Sequence, residues 1–307
     1  MTRPCTPTTL RLGQRLAVMG WRSLQGVAGV FNSLKRLSPP GKITQHTYGA
    51  HPDERLEIIS PNATAPKLAP IVYIHGGGWV CSTKEMFTGD LLFLAEAGHP
   101  VFNVEYPLAP ERPHPQMLLS LLDALSWIHE QHPEHESVHL MGDSAGGNLA
   151  MMLAILTANR ELIRTLDPNF TAATPRPQSA TCLYGVLERM NLVESSFPTA
   201  ATLVEAYAGP AALTPEGSPD TAITPMDLDF ASLPPTFVAA AGEDPLAENS
   251  RIGVEHLRKK HFEPVDFKVY DGEHHGFFTK PNRPACQELR TDILNFLAKH
   301  TDTDTTV

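Results

Sequence analysis

Gly142-Asp143-Ser144-Ala145-Gly146 is a G-x-S-x-G turn centred on a serine. A serine hydroxyl attacks a carbonyl only when a base takes its proton and a third group orients that base. It also needs donors for the oxyanion that forms on the carbonyl. The loop Tyr270-Asp271-Gly272-Glu273-His274-His275-Gly276-Phe277 offers two bases. His275 is the expected one, since Gly276 gives the backbone room and Phe277 can anchor the loop. His274 reads as a surface or packing histidine. Asp244 is the expected orienting acid, stiffened by Pro245, with Glu243 as its rival. Asp143 adjoins the nucleophile and cannot stand behind the histidine, so it is expected to brace the turn by hydrogen bonds. The run His75-Gly76-Gly77-Gly78-Trp79 exposes backbone amides with no side chain in the way. Gly76 and Gly77, with Gly78 as a further choice, are the expected oxyanion donors from one side. The Ala145 amide is the donor from the other.

These parts work only if a strand delivers the serine and a helix leads away from it. Val138, Leu140 and Met141 read as the end of a buried strand, and residues 148–158 read as a helix with Leu149, Met152 and Leu153 on one side. In so tight a turn, side chains at 142 and 146 would collide, which is why both are glycine. Around this unit, apolar runs predict strands at 44–48, 55–59, 71–74, 101–104, 138–141, 180–187, 236–241 and 265–270. Helical patterns lie between them at 84–97, 113–131, 248–260 and 285–299. From residue 71 onward strands and helices alternate, which implies parallel strands with crossover helices. Ligands of such sheets bind beyond the carboxyl ends of the strands. Ser144, Asp244 and His275 each follow a strand, in the chain order of that kind of hydrolase.

Two stretches fall outside the alternation. Residues 188–234 are rich in Pro, Ala and Thr and read as an excursion out of the sheet. Residues 8–36 form a basic amphipathic pattern in which Leu10, Leu16, Trp21, Leu24, Val27, Phe31 and Leu34 return to one face. Gly20, Gly26 and Gly29 predict a break into two helices. A lid over the site is the reading adopted. A membrane-surface helix and an organellar transit peptide compete with it.

The 307 residues carry a net charge of −10, unevenly spread. Residues 1–42 hold seven bases (Arg3, Arg11, Arg15, Arg22, Lys35, Arg36, Lys42) and no acid, leaving 17 bases against all 34 acids elsewhere. So acidic a body argues against nucleic acid as a partner. Cys5, Cys81, Cys182 and Cys286 are scattered, with no disulfide framework or zinc spacing. His129, His132, His135 and His139, interleaved with Glu130, Glu134 and Glu136, lack the H-E-x-x-H pattern and are broken by Pro133. They read as a solvated loop, so no metal is expected. No apolar run reaches the ~18 residues of a membrane span, and no secretory core is evident. A cytoplasmic location is expected.

Together the motifs resemble the hormone-sensitive-lipase-like (bacterial type IV) esterases of the α/β-hydrolase superfamily. His75–Trp79 looks like that family's oxyanion motif, and Gly142–Gly147 like its nucleophile motif. Tyr106-Pro107-Leu108-Ala109-Pro110-Glu111, Leu233-Pro234-Pro235, Asp244-Pro245-Leu246 and His275-Gly276-Phe277 match in order. The resemblance implies an α/β-hydrolase fold: a mostly parallel eight-stranded sheet flanked by helices, with a helical cap. It implies a division into cap (1–42), core (43–187), cap (188–225) and core (226–307). It implies a serine carboxylesterase for short- to medium-chain acyl esters that uses Ser144, Asp244 and His275 and needs no cofactor. An amidase or deacetylase, a lipase, or a non-catalytic receptor on the same fold are the alternatives. The expected partner is a small acyl ester. Pairing of terminal strands and helices in such folds admits a homodimer, and the N-terminal helix admits membrane-surface contact.

Overall fold

The computed structural model describes residues 7–33, 37–66, 68–218, 221–260, 262 and 264–301, with side chains of the first helix described to residue 24. Arg3, Cys5, Leu34, Lys35, Arg36 and the side chains of Val27 and Phe31, all named above, lie outside the described residues. The chain runs through α1 (Leu12–Ser33), β1 (Ile43–Thr47), β2 (Arg55–Ile59), β3 (Ile71–Ile74), α2 (Thr88–Glu96) and β4 (Val101–Val104). It continues with α3 (Gln116–Gln131), β5 (Ser137–Asp143), α4 (Ala145–Ala158), α5 (Arg160–Leu166) and β6 (Arg176–Leu183). Then come α6 (Arg189–Glu194), α7 (Ala200–Ala208), β7 (Thr236–Ala241), α8 (Ala247–Lys259), β8 (Val265–Tyr270) and α9 (Pro284–Lys299).

The strands form one eight-stranded sheet in the order β1-β2-β4-β3-β5-β6-β7-β8. β1 and β2 pair antiparallel with each other, and β2 pairs antiparallel with β4. All later pairings are parallel. The apolar runs follow from burial on both faces. Alternation along β3 divides its side chains between two layers. Ile71 and Tyr73 pack with Leu91 and Leu94 of α2 and Leu289 and Ile293 of α9. Val72 and Ile74 pack with Leu118 and Leu122 of α3 and Leu149 and Leu153 of α4. Each such buried side chain contributes about 1.5–3 kcal/mol.

α4 is buried from Ala145 to Thr157, and so its sequence is apolar on every side. Its one amide side chain, Asn148, donates to the carbonyls of Val186 (2.9 Å) and Ile223 (2.7 Å), near the two ends of the segment that leaves the sheet. α6 and α7 lie in that segment. α1 lies against it: the Trp21 ring stacks on Phe197 at 6.3 Å, and its Nε1 donates to Thr199 Oγ1 (2.8 Å). Gln14 donates to the Glu205 carboxylate.

Several expectations need correction. α1 is continuous through Gly20, Gly26 and Gly29, because one glycine costs only about 1 kcal/mol of helix. The described apolar residues of this stretch do not share a single inward face: Leu16 and Leu24 of α1 point outward, while Leu10, just before the helix, is buried. The helix expected from 113 begins at Gln116, since a residue before proline avoids the helical region and both 113 and 115 are proline. The helix expected over 84–97 splits into a 3-10 turn at Lys84–Met86 and α2. α4 starts at Ala145, three residues earlier than the apolar pattern indicated, and α5 had no clear signal.

Candidate active site

β5 ends at Asp143 and α4 begins at Ala145, so Ser144 is the whole turn. Its φ of 53° and ψ of −122° are a conformation that a side-chain-bearing residue seldom adopts. Two glycines permit it. A Cβ on Gly142 would come within 2.3 Å of the Gly146 carbonyl oxygen, and one on Gly146 within 2.0 Å of the Ile74 oxygen. The Ser144 amide donates to the Leu183 carbonyl (2.8 Å), tying the turn to β6.

β7 and β8 end beside this turn. Asp244 follows β7 and His275 sits in the loop after β8. The two loops are laced by the Glu243 amide on the Glu273 carbonyl (2.8 Å) and by His274 Nδ1 at 3.3 Å from the Glu243 carbonyl, while Arg283 pairs with the Glu273 carboxylate (2.8 Å) within the later loop. His275 Nε2 lies 2.8 Å from Ser144 Oγ, and its Nδ1 lies 2.6 Å from Asp244 Oδ2. A carboxylate only accepts, so Nδ1 carries the proton and Nε2 is left to accept from the serine hydroxyl. The Asp244 side chain is fully buried, and its other oxygen accepts from the Leu246 amide (2.9 Å). Tyr184 and Phe197 hold the imidazole edge-on, with centroids at 4.9 and 5.1 Å. His274 and Glu243, the alternatives in each loop, are exposed and outside this arrangement.

The glycine loop after β3 differs from expectation at one position. Gly76 does not offer its amide to the site: that N–H donates to Asp143 Oδ1 (2.8 Å). The same oxygen accepts from the Tyr73 hydroxyl (2.7 Å), so Asp143 braces the turn and the glycine loop together. Burial pushes the Asp143 carboxyl above its usual range, while Tyr73, the Gly76 amide and the nearby His75 and His275 hold it down. The amides of Gly77, Gly78 and Ala145 have no acceptor among the described residues. Gly77 (φ 123°) and Gly78 (φ 57°) adopt backbone angles suited to glycine. A Cβ on Gly77 would meet the Cys81 carbonyl oxygen at 2.1 Å.

Behind the loop His75 is fully buried, with Nε2 3.6 Å from Glu105 Oε1. Burial alone would suppress its charge, but Glu105, the Gly76 carbonyl and Asp143 outweigh that and raise its pKa. The Tyr106 hydroxyl donates to the His75 carbonyl (2.6 Å). The sequence reading missed Glu105 and Tyr73 as supports. It also missed Phe197, whose stretch of chain has no periodic pattern.

Ser144, His275 and the three glycines line a cavity of about 420 Å³, with Trp21 and Phe197 also in its wall. A neighbouring cavity of about 490 Å³, beside Arg22 and Glu111, shares Ser82 and Met86 with it but reaches none of the reactive groups.

The other histidine cluster divides. His139 is buried in β5 with Nδ1 2.7 Å from Ser179 Oγ, so it is not part of a solvated loop. His132 Nδ1 and His135 Nε2 lie 3.3 and 3.8 Å from Glu134 Oε1, at the opposite end of β5 from Ser144. These three could face one ion. Glu134 is mostly exposed, and a hydrogen bond between His132 Nδ1 and its carboxylate accounts for the shorter contact.

The fold and the geometry together define the class of protein. A family model for the alpha/beta hydrolase fold matches residues 71–279, and the chain belongs to that family. Among solved structures it is similar to esterase B of Lactobacillus rhamnosis, at 20% identity and a TM-score of 0.78, covering 94% of this chain and 95% of that one. It is also similar to a Pyrobaculum calidifontis esterase (22%, TM-score 0.75, 96% and 99%). An esterase of the bacterial hormone-sensitive lipase family gives 20%, a TM-score of 0.72, and coverage of 95% and 99%. At such identities the likeness is one of fold. A protein of Acanthamoeba polyphaga mimivirus named as an α/β hydrolase is 32% identical over 110 residues. That match covers 34% of this chain and 31% of that protein, so the chain spans about a third of that relative's length.

Proposed function

We propose that the chain is a serine carboxylesterase acting on short- to medium-chain acyl esters. The observation that carries this reading is the relay of Ser144 Oγ, His275 and Asp244 at 2.8 and 2.6 Å. Ser144 Oγ attacks the ester carbonyl as His275 Nε2 takes its proton. The oxyanion accepts from the amides of Gly77, Gly78 and Ala145, each such donor being worth roughly 3 kcal/mol of barrier. Collapse breaks the C–O bond to the alcohol, which leaves with the proton from His275, and an acyl-serine remains. Water attacks the acyl carbon, giving its proton to His275, and the acid departs as Ser144 is restored. Asp244 fixes the tautomer and stabilises the imidazolium in both halves. No metal or organic cofactor enters these steps. Residues 1–42 and 188–225 act as the cap, with Trp21 and Phe197 closing an acyl pocket near the small end of the usual ligand-site range.

Turnover of p-nitrophenyl butyrate by the Ser144→Ala variant tests this. A loss of about 10⁶-fold in kcat is expected. Near-full activity would remove Ser144 from its role. An acyl series from acetate to palmitate should peak at the short to middle members. Faster hydrolysis of anilides than of matching esters would favour an amidase instead.

A further inference from the structure

Among the described residues, the exposed large hydrophobic side chains all fall between residues 12 and 37: Leu12, Leu16, Met19, Leu24 and Leu37. Four belong to α1, and Leu12 and Leu24 are about three-quarters exposed, at 75% and 73%. At the helical repeat, Leu12, Leu16 and Met19 form one stripe with Leu24 at its edge. The remaining exposed positions of that face, Gly13, Gly20 and Ser23, carry no charge. Exposed Arg11 and Arg15 flank the stripe. The opposite face holds buried Val18 and half-buried Trp21 against the rest of the protein, with half-buried Arg22 on the border beside Arg15. Single exposed leucines are ordinary, but a charge-free stripe confined to one helix is not.

We propose that the outer face of α1 docks on an anionic lipid surface. Leucines and Met19 would enter the boundary between headgroups and acyl chains, with Arg11 and Arg15 against the lipid phosphates. Charge supports this partner. Residues 1–42 have seven bases and no acid, whereas the rest of the chain has twice as many acids as bases, so one end is attracted to an anionic surface. A second copy fits less well. Two stripes face to face would bring arginines together with no acid in residues 1–42 to offset them. Elsewhere the described surface shows no large apolar side chain to receive the leucines. Among the described residues no helix is long and apolar enough to cross a membrane, so α1 would lie on the surface. Its inner face carries Trp21 of the site cavity, which would hold that cavity close to the lipid. That last consequence rests on the esterase reading; the docking itself does not.

The test is co-sedimentation of the full chain, carrying Ser144→Ala so that lipid stays intact. It is run with vesicles of phosphatidylcholine alone or with about one-third phosphatidylglycerol. Binding at least about tenfold stronger to the anionic vesicles, weakened by added salt, is expected. Leu16→Glu combined with Met19→Glu should lower it about tenfold or more, with the circular dichroism spectrum unchanged. Ser23→Trp, on the same face, should raise it. Equal partition onto both vesicles, or full binding by the double variant, would overturn the proposal. So would a dimer in sedimentation that the double variant dissociates without any vesicle binding. In the otherwise unaltered chain the double variant should hydrolyse p-nitrophenyl acetate at the unchanged rate. Loss of docking is thus distinguishable from failure of the esterase reading.

Discussion

Ser144 occupies a backbone conformation that costs about 1–3 kcal/mol, and neighbouring packing enforces it. The glycines on either side are where that enforcement is weakest to substitution. In Gly146→Ala the new methyl would meet the Ile74 and His75 carbonyl oxygens, at 2.0 and 2.5 Å. A stability loss of about 2 kcal/mol or more is expected, read as a lowered denaturant midpoint with activity reduced alongside. His75 makes a second prediction at this scale. Its pKa is raised in the folded protein, so it contributes stability fully below the unfolded value near 6.5 and loses that contribution as pH rises through the folded value. Glu105→Gln removes the carboxylate that supports this charge. Thermal melts should show the variant about 3 kcal/mol less stable near pH 6, with the deficit shrinking as pH rises. A deficit independent of pH would mean that the buried imidazole is neutral throughout.

At the scale of elements, Arg22 ties α1 to the segments after β3 and β4. Its Nε donates to the Val80 carbonyl (2.8 Å), one terminal nitrogen donates to the Ala109 carbonyl (2.9 Å), and both terminal nitrogens meet Glu111. Val80 follows the glycine run and Ala109 lies in the loop after β4, where its amide donates to the Trp79 carbonyl (2.9 Å). Arg22→Ala should loosen the wall that α1 gives the cavity, raising KM for a butyrate ester about fivefold with a smaller change in kcat. Unchanged KM would detach α1 from substrate binding. The sheet was legible from sequence because strands buried on both faces read as apolar runs and the helices between them keep a periodic pattern. The approach of Ser144, His275 and Asp244 was legible because each follows a strand. Other features depend on contacts with no local trace. Nothing in the glycine run says that the Gly76 amide turns toward Asp143, since that direction depends on a carboxylate about seventy residues away. The direction of Leu16 and Leu24 on α1 was equally hidden: the helix is amphipathic in more than one way, and the elements it packs on, the Lys84–Met86 turn and α7, decide which side is buried. The proline-flanked start of α3 could have been read more closely from local rules.

For the molecule as a whole, β5 near the centre of the sheet delivers Ser144, the proposed nucleophile, while β7 and β8 bring Asp244 and His275 to the same edge. The proposed chemistry thus gathers at the carboxyl ends of the parallel strands, beside α1 and the segment that leaves the sheet. The charge distribution is uneven as well: residues 1–42, whose Trp21 lines the cavity, carry seven bases and no acid, and all 34 acids lie in the rest of the chain. What unites this organisation is an activated Ser144, and a covalent probe reads that state directly. The chain would be treated with one equivalent of diethyl p-nitrophenyl phosphate, and the adduct located by peptide mass spectrometry. Loss of ester hydrolysis in step with a single diethylphosphoryl group on Ser144 is predicted, with no reaction in Ser144→Ala. Inactivation with the group on another residue, or an unmodified Ser144 in fully inhibited protein, would contradict it.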